Sequence, residues 1–346
     1  MGGARLPLSG GCQCSSLRWE ATAWPRAMVR CHCDSCKAQS AASFGTSIYF
    51  APDTLRFTGP WAEFTVKTAR NGRKRCVFCP RCGVRVAHIG TPNPPHVSIK
   101  GGTIDPHHRL RPAADVWTDA RLAWVPVLEE GLSYPGQPEC WTAVERRFAQ
   151  DLTLSFYDAE AAEYAQASAG QENNPRLQNF IGALPKSAHV LDLACGSGWA
   201  AASMRGAGLQ VTATDASAGL AEQARLRYGQ PVELAYMQDL SACEAYHGIW
   251  AHFALIHLPR DEWPDMLGRL HRALRRGGQL SLSVREGLNG AKDRLGRHIT
   301  RVTNDELDDM LRDAGFRDTR LRITAPLGEF DGTNSRSIIA ETQRGA

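Results

Sequence analysis

Eight of the eleven cysteines in this 346-residue chain lie between Cys12 and Cys82, and only Cys140, Cys195 and Cys243 come later. The first residues, Met1 to Ser9, carry no basic segment followed by an apolar core, so no secretion leader is expected. Thiols crowded in this way in a chain without such a leader point to metal ligation before disulfides. They fall into the groups Cys12-x-Cys14, Cys31-x-Cys33-x-x-Cys36 and Cys79-Pro80-Arg81-Cys82-Gly83. The last reads as a zinc knuckle: Pro80 sets the turn and Gly83 lets backbone N–H groups approach the sulfurs. A knuckle supplies two thiolates and a structural zinc takes four, so Cys12 and Cys14 are the expected second pair.

Cys31, Cys33 and Cys36 are then left as a local trio. Three protein ligands leave one coordination position open, the mark of a catalytic zinc. Cys76 leaves this assignment open, because as a fourth ligand it would close the site. His32 stands between two ligands and is expected to point away from the metal.

The chain divides by texture. To about Val127 it shows short β segments broken by Gly and Pro (Ser16 to Trp19, Ile48 to Phe50, Glu63 to Thr68, Val97 to Lys100). Beyond a Gly- and Pro-containing stretch, helical segments alternate with apolar strands (Val190 to Leu193, Val211 to Thr214, Leu280 to Val284), as in a parallel sheet wrapped by helices. The expected organisation is multidomain: a mostly-β zinc-binding domain over 1–130, a linker over 131–152, and an α/β Rossmann-like domain over 153–346. Thr303 and Glu306 are spaced as a capping box, with Gly315 where the same helix would end. No apolar run approaches the roughly 20 residues of a membrane span, so no membrane partner is expected and the cytoplasm is the expected setting.

The cysteine groups, with Gly102-Thr103-Ile104-Asp105 and Val116-Trp117-Thr118-Asp119 downstream, resemble the glutathione-dependent formaldehyde-activating (GFA)/CENP-V family over roughly the first 130 residues. The resemblance implies a mostly-β fold with two zincs, four cysteines on one and three on the other. It also implies carbon–sulfur lyase chemistry on a thiol–aldehyde adduct, so the expected partner is a low-molecular-weight thiol or its adduct. After the trio, Lys37-Ala38-Gln39-Ser40-Ala41-Ala42 departs from the Arg and Gly that relatives tend to carry.

Farther along, a buried strand runs into Asp192-Leu193-Ala194-Cys195-Gly196-Ser197-Gly198. A glycine loop between strand and helix brings backbone N–H groups to a ligand. Asp192 at the strand end would repel a pyrophosphate and attract a ligand carrying ammonium and sulfonium charges, which favours S-adenosylmethionine over a dinucleotide. Asp215 ends the next strand, where a carboxylate can accept from both ribose hydroxyls. Asp239 follows a third strand and is placed for the adenine amino group. The expected cofactor contacts are Asp192, Ala194, Gly196, Gly198, Asp215, Ala216, Gln238, Asp239 and Leu240.

From about Thr153 onward the chain resembles class I S-adenosylmethionine-dependent methyltransferases of the small-molecule type. The matching segments are Phe156-Tyr157-Asp158, Gly248-Ile249-Trp250-Ala251, Leu255-Ile256-His257-Leu258-Pro259 and Arg276-Gly277-Gly278-Gln279-Leu280. Ala194 stands where a glycine is usual. The sulfonium activates its own methyl group, so rate comes largely from positioning. A general base depends on the acceptor; His257 is the expected one, with His252 behind it. Phe156, Tyr157 and Tyr164 read either as a cover on the cofactor or as packing. The resemblance places Arg297, His298 and Thr300 at the acceptor.

The function expected is therefore methyl transfer to a small molecule joined to zinc-dependent lyase chemistry. The alternative is a methyltransferase whose zinc domain only binds or braces, for instance delivering RNA. Against a nucleic-acid partner stand a net charge of only +4 and the lack of a basic stripe apart from Arg70 to Arg75.

Overall fold

The structure, a computed structural model, describes residues 6–68, 72–90, 96–106, 108, 110–171, 173–288, 290–328, 330 and 332–345. The start of the Arg70 to Arg75 run lies outside them. Among the described residues the chain forms two compact units, one from residues 6–152 with 294–296, the other from 153–293 and 297–345.

The N-terminal unit is mostly β. A three-stranded sheet joins β1 (Leu8–Gly11), β2 (Arg18–Ala21) and, from farther on, β5 (Leu55–Thr58). The larger sheet contains β3 (Ala27–Cys31), β4 (Gly45–Phe50), β6 (Ala62–Lys67), β7 (Arg73–Phe78), β8 (Arg85–Gly90), β9 (Val97–Lys100), β10 (Ala114–Val116) and β11 (Leu132–Tyr134). Its order is β11-β10-β3-β4-β9-β8-β7-β6. The short helix α1 (Asp34–Ser40) follows β3 directly, with Cys33 at its N-cap. Alternation along the strands buries Met28, Ile48, Phe50, Ala87 and Ile99 on one face, in the core that also holds Leu17 and Trp19.

The stretch 131–152, expected as a linker, carries structure. It contributes β11 to the large sheet and the first part of helix α2 (Thr142–Ala159). Val144, Phe148 and Leu152, one helical stripe, are buried in the core of the N-terminal unit.

The C-terminal unit continues from α2 into α3 (Ala161–Ala167) and α4 (Pro175–Gly182). The alternation then runs β12 (His189–Leu193), α5 (Trp199–Gly206), β13 (Gln210–Asp215), α6 (Ala218–Tyr228), β14 (Glu233–Leu234), β15 (Tyr246–His252), α7 (Trp263–Ala273) and β16 (Leu274–Glu286). Short pieces β17 (Ala291–Lys292), β18 (His298–Ile299) and β19 (Arg301–Val302) precede α8 (Asn304–Asp313) and β20 (Phe316–Ile323). After β21 (Leu327–Gly328) and β22 (Asn334–Ser335), β23 (Ser337–Arg344) closes the chain. The main sheet order is β14-β13-β12-β15-β16-β23-β20, with β23 antiparallel to both neighbours and the pairs from β14 to β16 parallel. This is the α/β Rossmann-like arrangement expected from the sequence.

Val190, Leu191 and Leu193 are buried, as a strand covered on both faces requires. The chain leaves β12 for β13 on one side and returns to β15 on the other. The carboxyl ends of these strands therefore flank a topological switch point, where open α/β sheets bind ligands. Thr303 and Glu306 form the capping box of α8: Glu306 N donates to Thr303 Oγ1 at 3.3 Å and Thr303 N to a Glu306 carboxylate oxygen at 2.8 Å. The strand expected over Leu280 to Val284 starts earlier, at Leu274, and β16 carries Gly277 exposed and Gly278 buried within it.

Candidate metal and cofactor sites

Two of the cysteine groups meet in space. Cys12 and Cys14 follow β1, and Cys79 and Cys82 follow β7; their four sulfurs all lie within 4.8 Å of one another. The Sγ atoms of Cys12 and Cys14 are 3.6 Å apart, and those of Cys14 and Cys79 are 3.7 Å apart. A tetrahedron with zinc–sulfur bonds of about 2.3 Å has edges of about 3.8 Å, so these residues fit a structural zinc. Backbone amides complete the cradle. Leu17 N donates to Cys12 Sγ at 3.3 Å, and the Val84 amide is the main influence drawing the Cys82 thiol down. Gly83, at φ +75°, sends its own N–H to the Cys79 carbonyl at 2.9 Å, which turns the chain so that Val84 can reach the sulfur.

The trio gathers where β3 meets α1. Cys31, Cys33 and Cys36 lie within the same 4.8 Å limit, with Cys31 and Cys33 Sγ 3.6 Å apart, and Gln39 Nε2 donates to Cys36 Sγ at 3.3 Å. Hydrogen bonds from the Cys31 and Cys36 thiols draw the Cys33 sulfur below the usual thiol range. These residues fit a metal held by three thiolates. Cys76 belongs to neither group. It is fully buried in β7, opposite His88. Strand β7 is four steps from β3 in the sheet order, about 19 Å along the sheet. His32 is turned away, with Nε2 3.1 Å from Asp115 Oδ1. Burial pushes the Asp115 carboxyl up, but the bidentate Arg30 guanidinium and His32 outweigh it and hold it below the usual range.

The sheet face beside the trio is polar, which the sequence reading missed. Val29 pairs with Ser47, Ser47 with Lys100, Ser98 with His88 and His88 with Cys76. Cross-strand partners and alternate residues share a face, so Cys31, Ser47, Lys100, His88 and Lys74 project to the same side. Arg85 joins them through a register shift in β8; its Nη1 lies 2.8 Å from Gln39 Oε1 and 3.5 Å from His88 Nε2. Burial, helped by Lys100, Lys74 and Arg85, lowers His88 to about 2, so that ring is neutral. Burial also lowers Lys100 to about 8. The signal was present as Lys74 and Cys76 at alternate positions of β7 and Ser98 and Lys100 at alternate positions of β9, while β8 gives no such alternation.

In the C-terminal unit, Asp192, Asp215 and the glycine loop come together at the switch point. Gly196 N donates to Asp215 Oδ2 and Ser217 N to Asp215 Oδ1, each at 2.8 Å, and Cys195 N reaches the Thr214 carbonyl at 2.9 Å. Asp192 is 2 % exposed, and its Oδ2 is buried with no hydrogen-bond partner. Burial, with some help from Asp215, raises its carboxyl to about 8. A buried carboxylate oxygen without a donor is costly, and a cationic or N–H ligand group relieves that cost. The site thus fits the ammonium end of S-adenosylmethionine. Ala194 has φ +52°, a left-handed conformation that explains why glycine suits this position. Gly198, at φ +80°, leaves no room for a side chain: a Cβ there would stand 2.6 Å from Ala224 Cβ. Ala216 is half-buried after β13. Gln238, Asp239 and Leu240 form the turn after β14. The exposed Asp239 accepts from Tyr236 N at 3.3 Å, Gln238 O accepts from Arg269 Nη1 at 3.0 Å, and Leu240 packs on the core.

Helices α2 and α3 are tied to this edge. Asp158 accepts from Ser217 Oγ at 2.7 Å and Gly219 N at 3.0 Å, and Ser168 Oγ lies 2.8 Å from Ser197 Oγ. The Tyr164 ring lies 3.9 Å from where a Cβ of Gly196 would stand and 5.2 Å, edge to face, from Tyr157. Phe330 packs against Phe156 and Tyr164. His257 is held at both nitrogens, by the Tyr157 hydroxyl and the His298 carbonyl, and burial lowers it to about 4. Arg297 donates to Tyr157 Oη at 3.3 Å and pairs with buried Asp293 at 2.7 Å. Thr300 Oγ1 donates to the Leu258 carbonyl at 2.6 Å. His252 is a packing residue: its nitrogens sit 2.9 Å from the hydroxyls of Ser281 and Ser283, and its ring stacks on Trp250.

Residues 7–120 match the family model of the glutathione-dependent formaldehyde-activating enzyme, and residues 190–278 match that of a methyltransferase domain. The chain is therefore a two-part protein, a mostly-β GFA region followed by a class I methyltransferase domain. Among solved structures, the Burkholderia thailandensis 1,6-didemethyltoxoflavin-N1-methyltransferase, with bound 1,6-didemethyltoxoflavin and S-adenosylhomocysteine, is 20% identical; the match covers 56% of this chain and 88% of that one, with a TM-score of 0.45. DhpI in complex with S-adenosylhomocysteine is 21% identical over 57% of this chain and 97% of that one, TM-score 0.44. A Methanosarcina mazei S-adenosylmethionine-dependent methyltransferase is 19% identical over 49% and 97%, TM-score 0.43. No curated protein matches the chain. Among the described residues, no helix is long and apolar enough to cross a membrane.

Proposed function

We propose that the chain is a bifunctional enzyme whose methyltransferase domain moves a methyl group from S-adenosylmethionine to a small-molecule acceptor. The observation that carries this is the unpartnered, buried Asp192 oxygen at the head of the glycine loop. S-adenosylmethionine supplies a methyl group already activated on a sulfonium. Asp192 receives the ammonium end, Asp215 the ribose hydroxyls, and Ala194, Gly196, Gly198 and Ala216 line the cofactor. Gln238, Asp239 and Leu240 flank the adenine. His257 acts as general base. Its Nδ1 proton is committed to the His298 carbonyl, which leaves the Nε2 lone pair to draw a proton through the Tyr157 hydroxyl. The test is incubation with methyl-labelled S-adenosylmethionine and a cell extract, followed by mass spectrometry of what acquires label. Absence of both label transfer and S-adenosylhomocysteine binding refutes the proposal.

The GFA region has, in this proposal, carbon–sulfur lyase activity on a thiol–aldehyde adduct. Cys12, Cys14, Cys79 and Cys82 hold a structural zinc and Cys31, Cys33 and Cys36 a catalytic one. A zinc at the trio supplies Lewis acidity that makes a bound thiol or hydroxyl more acidic. The exclusion of Cys76 from the trio supports an open fourth position. Consumption of formaldehyde in the presence of thiols, lost in Cys33→Ser, is the check. The seven ligand thiols require a reducing compartment, and a cytoplasmic setting is part of the proposal.

A further inference from the structure

Strand β6 (Ala62–Lys67) is the last in the order of the large sheet, and among the described residues no strand covers its outer side. The turn into β7 fixes which backbone groups that side presents. Thr68 N donates to the Gly72 carbonyl at 2.8 Å, and the pairing continues with Lys67 opposite Arg73 and runs to Ala62 opposite Phe78. In an antiparallel ladder, pairs that exchange hydrogen bonds recur at every second residue. Val66, Phe64 and Ala62 therefore direct their N–H and C=O groups to β7, whereas those of Glu63, Thr65 and Lys67 point outward. These three residues are exposed, and so is the large ring of Phe64, at 42%. Neither a proline nor a register shift interrupts the pairing of β6 with β7, so two of the devices that blunt a free edge are missing among these residues.

A free edge of this kind templates another strand, and the side chains of β6 select which one. Glu63-Phe64-Thr65-Val66-Lys67 is complementary to its own reverse. Two copies set antiparallel about a two-fold axis at Thr65 place Glu63 of each opposite Lys67 of the other, with the two threonines paired at the centre. All of these pairs use the outward backbone groups, giving on the order of six hydrogen bonds. Between them Phe64 meets Val66 of the second copy in a close pair without hydrogen bonds, an aromatic ring against a β-branched side chain. Other axes fail on charge. Centring on Glu63 sets two carboxylates face to face and centring on Lys67 two ammonium groups, and like charges directly opposite destabilise a sheet. Centring on Phe64 or Val66 leaves both charges opposite uncharged residues. Glu63 also meets Arg75 Nε at 3.4 Å, but both side chains are more than a third exposed, and a carboxylate can accept from a second cation. We propose that β6 is a homodimer interface, in which a second copy of this chain adds its own β6 antiparallel across Thr65 and joins the two eight-stranded sheets into one.

The test uses the full chain as purified and measures its mass in solution by sedimentation velocity over a range of concentrations. The unaltered protein is expected to be a dimer. Glu63→Lys alone and Lys67→Glu alone each set like charges opposite one another across the axis, and each is expected to weaken association about tenfold or more. Mixed in equal amounts, the two variants are expected to pair with each other, because the lysines of one then meet the glutamates of the other. The double variant Glu63→Lys/Lys67→Glu restores both cross-strand pairs and is expected to dimerise by itself. Recovery in the mixture and in the double variant separates a broken interface from a folding defect, which neither would repair. An unaltered protein that is monomeric at every concentration overturns the proposal. So does a dimer that neither single variant weakens, and so do single variants that stay apart when mixed.

Discussion

The Tyr157 hydroxyl lies 3.0 Å from Nε2 of His257, whose Nδ1 faces the His298 carbonyl at 2.8 Å. The carbonyl can only accept, so the proton of the neutral imidazole sits on Nδ1 and Tyr157 donates to Nε2. With His257→Ala, label transfer from S-adenosylmethionine into an extract is expected to fall about a hundredfold or more. Binding of S-adenosylhomocysteine, measured by calorimetry, stays within about twofold, because His257 itself is not among the expected cofactor contacts. A parallel loss of binding would make the pair a structural brace.

Burial raises the Asp192 carboxyl to about 8, above its ordinary value of 3.8. Below about pH 8 the ligand-free protein therefore holds a proton there. A cationic ligand selects the ionised form and drives that proton off. S-adenosylhomocysteine affinity, through its ammonium group, is thus expected to rise with pH up to about 8 and then level off. Calorimetry at pH 7 in buffers of different ionisation enthalpy should detect release of up to about one proton. Asp192→Asn should abolish that release.

Cys76 and Cys79 are both fully buried and only three positions apart, yet their roles differ. Cys76→Ser is expected to keep the metal content unchanged and to cost about 1–3 kcal/mol for a buried hydroxyl. Cys79→Ser breaks the four-thiolate group and should lose one metal per chain. Elemental analysis alongside thermal melts separates the two. Equal metal loss from both variants would return Cys76 to the ligand set.

The two small residues of the nucleotide loop should respond in opposite directions. Ala194 holds φ +52°, so Ala194→Gly removes a left-handed strain and is expected to stabilise the fold by about 1 kcal/mol. Gly198→Ala places a Cβ 2.6 Å from Ala224 Cβ at φ +80° and should destabilise by about 1–3 kcal/mol, with loss of S-adenosylhomocysteine binding. Denaturant unfolding measures both.

The sequence made the cysteine groups and the strand-end acids legible because their chemistry is tied to short spacings. Asp192 and Asp215 come at or near the end of an apolar strand, and the parallel register sets Asp192 opposite Ala213, two residues before Asp215, at the carboxyl ends of neighbouring strands. The cations near the trio were not legible. Lys74, Arg85 and Lys100 lie on three different strands, and only long-range pairing, with a register shift at Arg85, turns them to one face. His252 and His257 read alike as histidines near the end of one strand, and only the serines of the neighbouring β16 show the first to be held by packing. The stretch 131–152 read as a connector because of its Gly and Pro content, while the apolar stripe of Val144, Phe148 and Leu152 sits in the second half of that stretch.

That stripe bears on how the gene can be divided. An incision placed at Gly131, where the composition changes, would strip the cysteine-rich half of β11 and of three buried apolar side chains, leaving its core open to water. A cut after Leu152 falls inside one continuous helix and frays it. Neither half has a clean terminus at this seam, so the fusion is written into the secondary structure as well as into the reading frame.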